Sequence, residues 1–325
     1  MVSASGWIRK SLFGLSAQEA DFAFRGFRGG DPATRRRIEQ VIATFVRAYN
    51  HGLEDPSDAV LRGCLEGMDQ EGRGFAYEAA AMALALLDHL TPWNRGRFHH
   101  YLNGPDDAHT YRGIAGPHRY MAYIGAGLAI ARLGRPVEPT LRKLDPFFCW
   151  LAMDGYGFHQ GFFQFKRYID RQELPEGFTG YTRRAFDQGV GRSLWFVEGA
   201  DVQRLPKAIA AFDQSRRADL WSGVGLACAY AGGVPVAAIG ALALYAGDYL
   251  PHFAQGVAFA AMTRHQALNP AAHTELACQA VWGMPLAKVG NLAARAMDGI
   301  PTDRDGYEAT RRSIQHQFAW EGATP

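Results

Sequence analysis

Two side chains that can transfer a proton lie in the most aromatic stretch of the sequence. Residues 145–168 contain Asp154 and His159 among closely spaced phenylalanine, tyrosine and tryptophan residues. Such aromatic density is typical of a pocket for an extended, unsaturated, apolar molecule. Burial raises the pKa of a carboxyl group and lets it exchange a proton near neutral pH. We predict that Asp154 and His159 act as acid/base residues; the alternative is a packed core in which Asp154 caps a turn before Gly155.

Other charged residues are embedded in apolar segments. Glu78 is followed by three alanines, and Asp187 and Arg192 flank a small-residue segment that precedes Leu194. Because a buried charge is costly unless it is paired, we expect ion pairs such as Asp187 or Glu78 with Arg192 or Arg73. The alternative is a cluster that faces a ligand, with Asp187 as an acid/base residue.

The sequence lacks the motifs of common cofactor and metal sites. It has no GxxxxGK[ST] loop, and the GxG segments at 125–127 and 155–157 lack the third glycine and the preceding strand of a dinucleotide site. No serine lies in a GxSxG motif, and the histidines show no HExxH spacing. We predict no cofactor and no metal.

Most of the chain has apolar residues at helical spacing, and alternating β-type runs are scarce. Prolines and glycines follow several of these segments, as expected at helix ends. The predicted fold class is all-α. The predicted helices cover residues 77–90, 120–133, 182–197, 219–230, 234–249, 253–265 and 274–282.

A small-residue pattern recurs along the chain. It reads IGAG at 124–127, QGVG at 188–191, SGVG at 222–225 and QGVA at 255–258, and the last three copies are 34 and 33 residues apart. A period near 33 is typical of stacked helix-turn-helix units, which bury their apolar faces against their neighbours. We predict an α-solenoid-like or α/α superhelical domain with an inner apolar groove. The glycines either allow close helix approach or leave room for a ligand.

Composition indicates a globular protein. The chain has 34 Lys+Arg against 32 Asp+Glu and 48% hydrophobic residues, which argues against a disordered protein or a strongly basic nucleic-acid binder. We predict one helical domain over residues 1–325, with an N-terminal amphipathic segment at 1–20 and a helical-repeat body at 70–320.

Cysteine usage and the apolar segments predict a cytoplasmic protein. Four cysteines without a CxxC pair indicate buried thiols in a reducing compartment, and no secretory signal is visible. Residues 221–247 carry no charge, but AGGVP at 231–235 interrupts them. This segment therefore predicts two short helices and a turn rather than a membrane span.

Several blocks of the sequence resemble the DUF1702 family, also called the UnbL-type enediyne biosynthesis proteins. They are RGFAYEAAAMA at 73–83, YIGAG at 123–127, MDGYGFH at 153–159, FDQGVGRSLWF at 186–196 and RADLWSGVGLA at 217–227. The resemblance extends from FAFRGF at 22–27 to RRSI at 311–314.

The resemblance implies a biosynthetic setting and assigns no catalytic residue. Relatives are encoded beside the iterative polyketide synthase of enediyne clusters, with an UnbV-type propeller-like protein and an UnbU-type membrane protein. The resemblance implies that these proteins together convert a linear polyene into a more unsaturated precursor. Members of the DUF1702 family also occur outside enediyne clusters. The expected partners are an apolar intermediate, the UnbV-type and UnbU-type proteins and a peripheral membrane surface, without nucleic acid.

The sequence leaves three functions open. The first is a tailoring enzyme for a polyene, with Asp154 or Asp187 as acid/base and His159 as partner. The second is a carrier or scaffold for the apolar intermediate, and the third is a hydrocarbon or isoprenoid cyclase that acts by protonation. The predicted substrate contacts are Glu78, Tyr156, Phe158, Arg192, Trp195 and Trp221.

Overall fold

The computed structural model describes residues 3–91, 93–105 and 111–321. Within these ranges the chain forms α-helices, three short 3-10 turns and one π-helical turn, and no strand. The predicted all-α fold class is confirmed. In chain order the helices are α1 Ala4–Phe13, α2 Phe22–Arg25, α3 Pro32–Glu54, α4 Asp58–Glu66, α5 Arg73–Leu90, α6 Arg97–Asn103, α7 Arg119–Arg132, α8 Val137–Leu141, α9 Cys149–Phe163, α10 Gly180–Val197, α11 Arg204–Ala211, α12 Gln214–Ala231, α13 Val236–Ala246, α14 Leu250–Gln266, α15 Ala272–Trp282, α16 Leu286–Arg295 and α17 Arg304–Glu321.

Seven helices form a row in which each packs against the next. They are α3, α5, α7, α9, α10, α12 and α14, and shorter elements connect successive members. The first of them, α3, lies before the repeat body predicted from residue 70. The predicted stacked helical architecture agrees with this arrangement.

Side-chain hydrogen bonds connect the first part of the row with the last part. In α3, Thr34 Oγ1 donates to Gly233 O at 2.8 Å, and Arg37 Nε donates to Ala231 O at 3.3 Å at the end of α12. In α14, Arg264 Nη2 donates to the carbonyl of Glu71, just before α5, at 3.2 Å. The row therefore closes into a ring with an interior.

Glycines let the helices of the ring touch through their backbones. A Cβ on Gly127 of α7 would lie 1.8 Å from the carbonyl oxygen of Ala152 in α9. A Cβ on Gly225 of α12 would lie 2.1 Å from the carbonyl oxygen of Phe253 in α14. Close helix approach is thus the structural reason for the glycines of the repeated pattern.

Replacing Gly127 with alanine is expected to destabilise the protein by about 1–3 kcal/mol, because the two backbones must separate. The matched control is Gly240→Ala in α13, where a Cβ meets nothing within 4 Å. That change should stabilise by roughly 0.5–1 kcal/mol through helix propensity. Urea unfolding of the three proteins measures both effects. A Gly127→Ala midpoint at or above that of the wild type would contradict the packing described.

The uncharged segment at 221–247 contains parts of two helices separated by a turn, as predicted. Helix α12 ends at Ala231, and α13 begins at Val236. No helix in the described part of the chain combines the length and the apolarity that a bilayer crossing requires. The cysteines are free thiols, of which Cys149, Cys228 and Cys278 are buried.

Candidate functional site

The interior of the ring holds a narrow, partly open apolar cavity in two adjoining parts. The first has about 530 Å³ of empty space and is lined by side chains of α3, α5, α7, α9 and α10. The second has about 470 Å³ and extends toward α12 and α14. Phe75, Arg192 and Phe196 line both parts. Little of this space is wide enough for the centre of a water molecule, so side chains must move before a hydrocarbon chain can enter it.

A buried cluster of three charged side chains lies at the cavity wall. Arg192 Nη1 of α10 donates a hydrogen bond to Asp154 Oδ1 of α9, and Arg192 Nη2 lies 3.7 Å from Glu78 Oε1 of α5. Glu78 and Arg192 line the cavity, and all three residues are at most 5% exposed. The Arg192 guanidinium also lies 4.9 Å from the centre of the Phe158 ring. The expected pair of Glu78 with Arg192 is therefore present.

Helix geometry positions this cluster. A Cβ on Gly189 would lie 1.9 Å from the carbonyl oxygen of Asp154, so α9 and α10 approach closely at this level. Gln188 and Arg192 are four residues apart and share one face of α10. Gln188 Nε2 donates to Asp154 Oδ2 at 2.7 Å, while Arg192 binds the other oxygen. Asp154 lies within the helix and does not cap a turn.

Glu78 is the cluster member whose proton is poised for exchange. Burial raises the pKa of Glu78 to about 7, with Asp154 raising it further and Arg192 opposing the shift. Its Oε2 atom has no hydrogen-bond partner among the described residues. Near neutral pH, Glu78 is therefore present in both protonation states, next to apolar space.

His159 lies in a different environment from Asp154. It is buried, lines neither part of the cavity and contacts the Phe163 ring at 4.6 Å. Burial, followed by the charge of Arg132, lowers the pKa of His159 to about 3, so its imidazole is neutral. In the described ranges neither of its ring nitrogens has a hydrogen-bond partner.

Asp187 belongs to a separate ion pair. Arg216 of α12 donates to Asp187 Oδ1 from Nη2 at 2.6 Å and from Nε at 3.0 Å. Asp187 therefore pairs with Arg216, whereas the sequence suggested Arg192 or Arg73. Burial raises the pKa of Asp187 to about 6, but its side chain lines neither part of the cavity. Across the described residues no hydrogen bond joins Asp154 to Asp187.

The predicted substrate contacts divide into two groups. Those that line the cavity are Glu78, Phe158 and Arg192. Those that line neither part are Tyr156, which is half-buried, and Trp195 and Trp221, which are buried in the core. In the second group, Trp195 Nε1 donates to Gly232 O at 3.1 Å, and the Trp221 ring centre lies 6.0 Å from that of Phe253.

Sequence analysis missed a buried ladder of polar side chains. Ser222 Oγ lies 3.3 Å from Gln188 Oε1 and 2.8 Å from Gln255 Oε1, and Arg311 Nε donates to Gln255 Oε1 at 3.1 Å. With Asp154, these residues link α9, α10, α12, α14 and α17. Each of Asp154, Gln188, Ser222 and Gln255 directly precedes a glycine, and that shared position was a usable signal.

A family model described as a protein of unknown function, DUF1702, matches residues 4–318. The chain belongs to the DUF1702 family. No curated protein and no solved structure matches it. The matched range contains all seven helices of the ring, so the cavity and its charged cluster lie within the DUF1702 domain. In the described part of this DUF1702 protein, no three His, Cys, Asp or Glu residues are grouped so that they could hold a metal ion.

Proposed function

We propose that this DUF1702 protein binds a linear, unsaturated, uncharged chain inside the ring and exchanges a proton with it through Glu78. The observation that carries the proposal is a buried carboxyl group with a pKa near 7 on the wall of a narrow apolar cavity. The setting we propose is that of an UnbL-type accessory protein in enediyne-type polyketide biosynthesis, working with UnbV-type and UnbU-type partners.

The charge of the cluster favours an uncharged ligand. One guanidinium, Arg192, serves two carboxyl groups, Asp154 and Glu78. The cluster is neutral when Glu78 is protonated and carries one negative charge when it is ionised. A carboxylate ligand would add a further negative charge in a medium of low dielectric, where like charges repel strongly.

The proton step balances without another reactant. The Glu78 O–H bond breaks and a C–H bond forms on the polyene, which leaves a carboxylate and a delocalised carbocation. Loss of a proton from another carbon to the Glu78 carboxylate regenerates the acid and moves a double bond. The rings of Phe75, Phe158 and Phe196 line the cavity and can stabilise the cation.

Within this proposal each member of the cluster has one role. Glu78 is the acid/base residue, a role that the sequence suggested for Asp154, His159 or Asp187. Arg192 sets the position and charge of Glu78. Asp154 is a positioning residue, because both of its oxygens are bound by α10 side chains.

A carrier function is the second candidate, and the apolar wall of the cavity favours it. A carrier would bind the chain and release it unchanged, whereas an enzyme or a cyclase would alter its conjugation. Chain binding is common to all three functions, so it is tested first.

The test uses a fluorescent linear tetraene as its methyl ester and as its free acid. We expect the ester to bind, and the acid to bind at least about tenfold more weakly at pH 8, because ionised Glu78 gives the cluster a net negative charge that repels it. Lowering the pH through 7 protonates Glu78, so the affinities of the ester and the free acid should become more similar. Met82→Trp, which fills the cavity, should abolish binding, and Leu268→Trp at an exposed position should not.

Binding of neither probe, or equal binding by the Met82→Trp variant with an unchanged melting temperature, would contradict a ligand site inside the ring.

A further inference from the structure

Helix α1 has an apolar side that the described chain leaves uncovered. Trp7, Ile8 and Leu12 lie on this side and are 66%, 50% and 70% exposed. The opposite side packs tightly on the end of α3. A Cβ on Gly6 would lie 2.1 Å from the carbonyl oxygen of Glu54, and Arg9 Nε donates to Leu53 O at 2.7 Å. The apolar side is therefore held outward by a fixed helix.

A second exposed tryptophan lies in the neighbouring loop between α5 and α6. Trp93 is 81% exposed, and its loop ends at Arg97. Burial, and then the charge of Arg97, lower the pKa of Arg9, which places the end of this loop near α1. We call Trp7, Ile8 and Leu12, with the charged residues around them, the basal surface.

Basic residues outnumber acidic residues on the basal surface. Several of them cap helix ends: Arg132 Nη2 donates to Phe13 O at 3.1 Å, and Arg135 Nη2 donates to His89 O at 3.2 Å. Backbone carbonyls carry only partial charge, so these guanidinium groups keep a net positive charge. The basic residues are Lys10, Arg95, Arg97, Arg132 and Arg135, and the acidic ones are Glu54, Asp55, Asp58 and Asp88; Lys10 pairs with Glu54 and Arg97 with Asp88, so the surplus positive charge comes from the other basic residues.

We propose that the basal surface docks on an anionic lipid bilayer. Tryptophan partitions to the headgroup region, and basic side chains attract anionic lipids. The apolar side of α1 is about 15 Å long, which is small for a stable protein–protein interface. It is sufficient for a helix that lies in the plane of the headgroups.

Docking would bring one wall of the cavity to the bilayer. The chain passes directly from α1 to Leu15 and Glu19, which line the first part of the cavity. An apolar ligand dissolved in the bilayer would then be close to this wall. The docking proposal itself depends only on the basal surface, and it stands or falls separately from the proton chemistry of Glu78.

The test is co-sedimentation of the full chain with vesicles of phosphatidylcholine alone and of phosphatidylcholine with phosphatidylglycerol. We expect binding to the anionic vesicles that decreases with added salt. The double variant Trp7→Ser/Leu12→Ser should lower the partition coefficient more than about tenfold, since each buried apolar side chain contributes about a factor of ten or more. The control variant Leu244→Ser/Leu268→Ser changes two leucines that are exposed elsewhere.

Three results would overturn docking on an anionic bilayer. One is equal binding to both kinds of vesicle, or binding to neither. Another is unchanged binding by the Trp7→Ser/Leu12→Ser variant with the fold intact by circular dichroism. The third is a wild-type dimer in light scattering that this variant converts to a monomer without any vesicle binding, which would assign the surface to a second copy of the chain.

Discussion

Replacing Arg192 with methionine should destabilise the protein by about 3–5 kcal/mol. The substitution keeps most of the side-chain volume but leaves Asp154 and Glu78 buried without their shared cation. The free energy of unfolding in urea measures the loss. The control is Arg142→Met, which removes an exposed pair with Glu138 and should cost less than about 1 kcal/mol.

Restoring charge balance should recover part of the loss. The double variant Arg192→Met/Asp154→Asn removes the Asp154 carboxylate that has lost its cation, so its destabilisation should be smaller than the sum of the single effects. Additive single effects, or an Arg192→Met variant within about 1 kcal/mol of the wild type, would show that the cluster does not operate as one unit.

Glu78→Gln should lower turnover of a linear polyene by roughly 10²–10⁴-fold while the polyene still binds. The amide keeps the size of the side chain but cannot donate the proton. If protonation limits the rate, wild-type turnover should fall as the pH rises through about 7, because Glu78 then loses its proton. The change in the absorbance spectrum of the conjugated chain measures the reaction.

The competing assignments are tested by Asp187→Asn and His159→Gln. Both residues lie outside the cavity lining, so these variants should keep the wild-type rate per folded molecule. Loss of turnover in either of them, with Glu78→Gln fully active, would return the acid/base role to the residues suggested by the sequence. Binding without turnover of any polyene by the wild type would favour the carrier function.

Local sequence features predicted the helices and their stacking. The AGGVP break at 231–235 separates α12 from α13 because proline and paired glycines do not continue a helix. The glycines that follow Gln188 and Ser222 predicted close helix packing, since a Cβ at either position would lie within about 2 Å of a neighbouring carbonyl. These features are local, so one chain is enough to recognise them.

Only some residues of the charged cluster could be predicted from the sequence. Asp154 and Phe158 are four residues apart, as are Gln188 and Arg192, so each pair shares a helix face. His159 is five positions from Asp154, and that offset turns it to another side of α9. This argument requires residues 145–168 to be recognised as helical, and their aromatic density hid the helical periodicity.

Ring closure could not be predicted from the sequence. Glu78 meets Arg192 across the interior because α5 and α10 lie on one closed ring, and the closure rests on hydrogen bonds such as that of Thr34 Oγ1 with Gly233 O. Contacts between such distant segments have no local sequence signature. The sequence therefore predicted an inner groove, and the structure shows which helices meet around it.

A crystal structure with a brominated linear tetraene ester tests the central claim most directly. The anomalous signal of bromine locates the bound chain independently of the electron density of its carbon atoms. We predict a bromine site inside the ring, with the chain running past Phe158 and Arg192 and beside Glu78. Bromine sites confined to the outside of the helices, with the interior unchanged, would contradict a ligand site in this cavity.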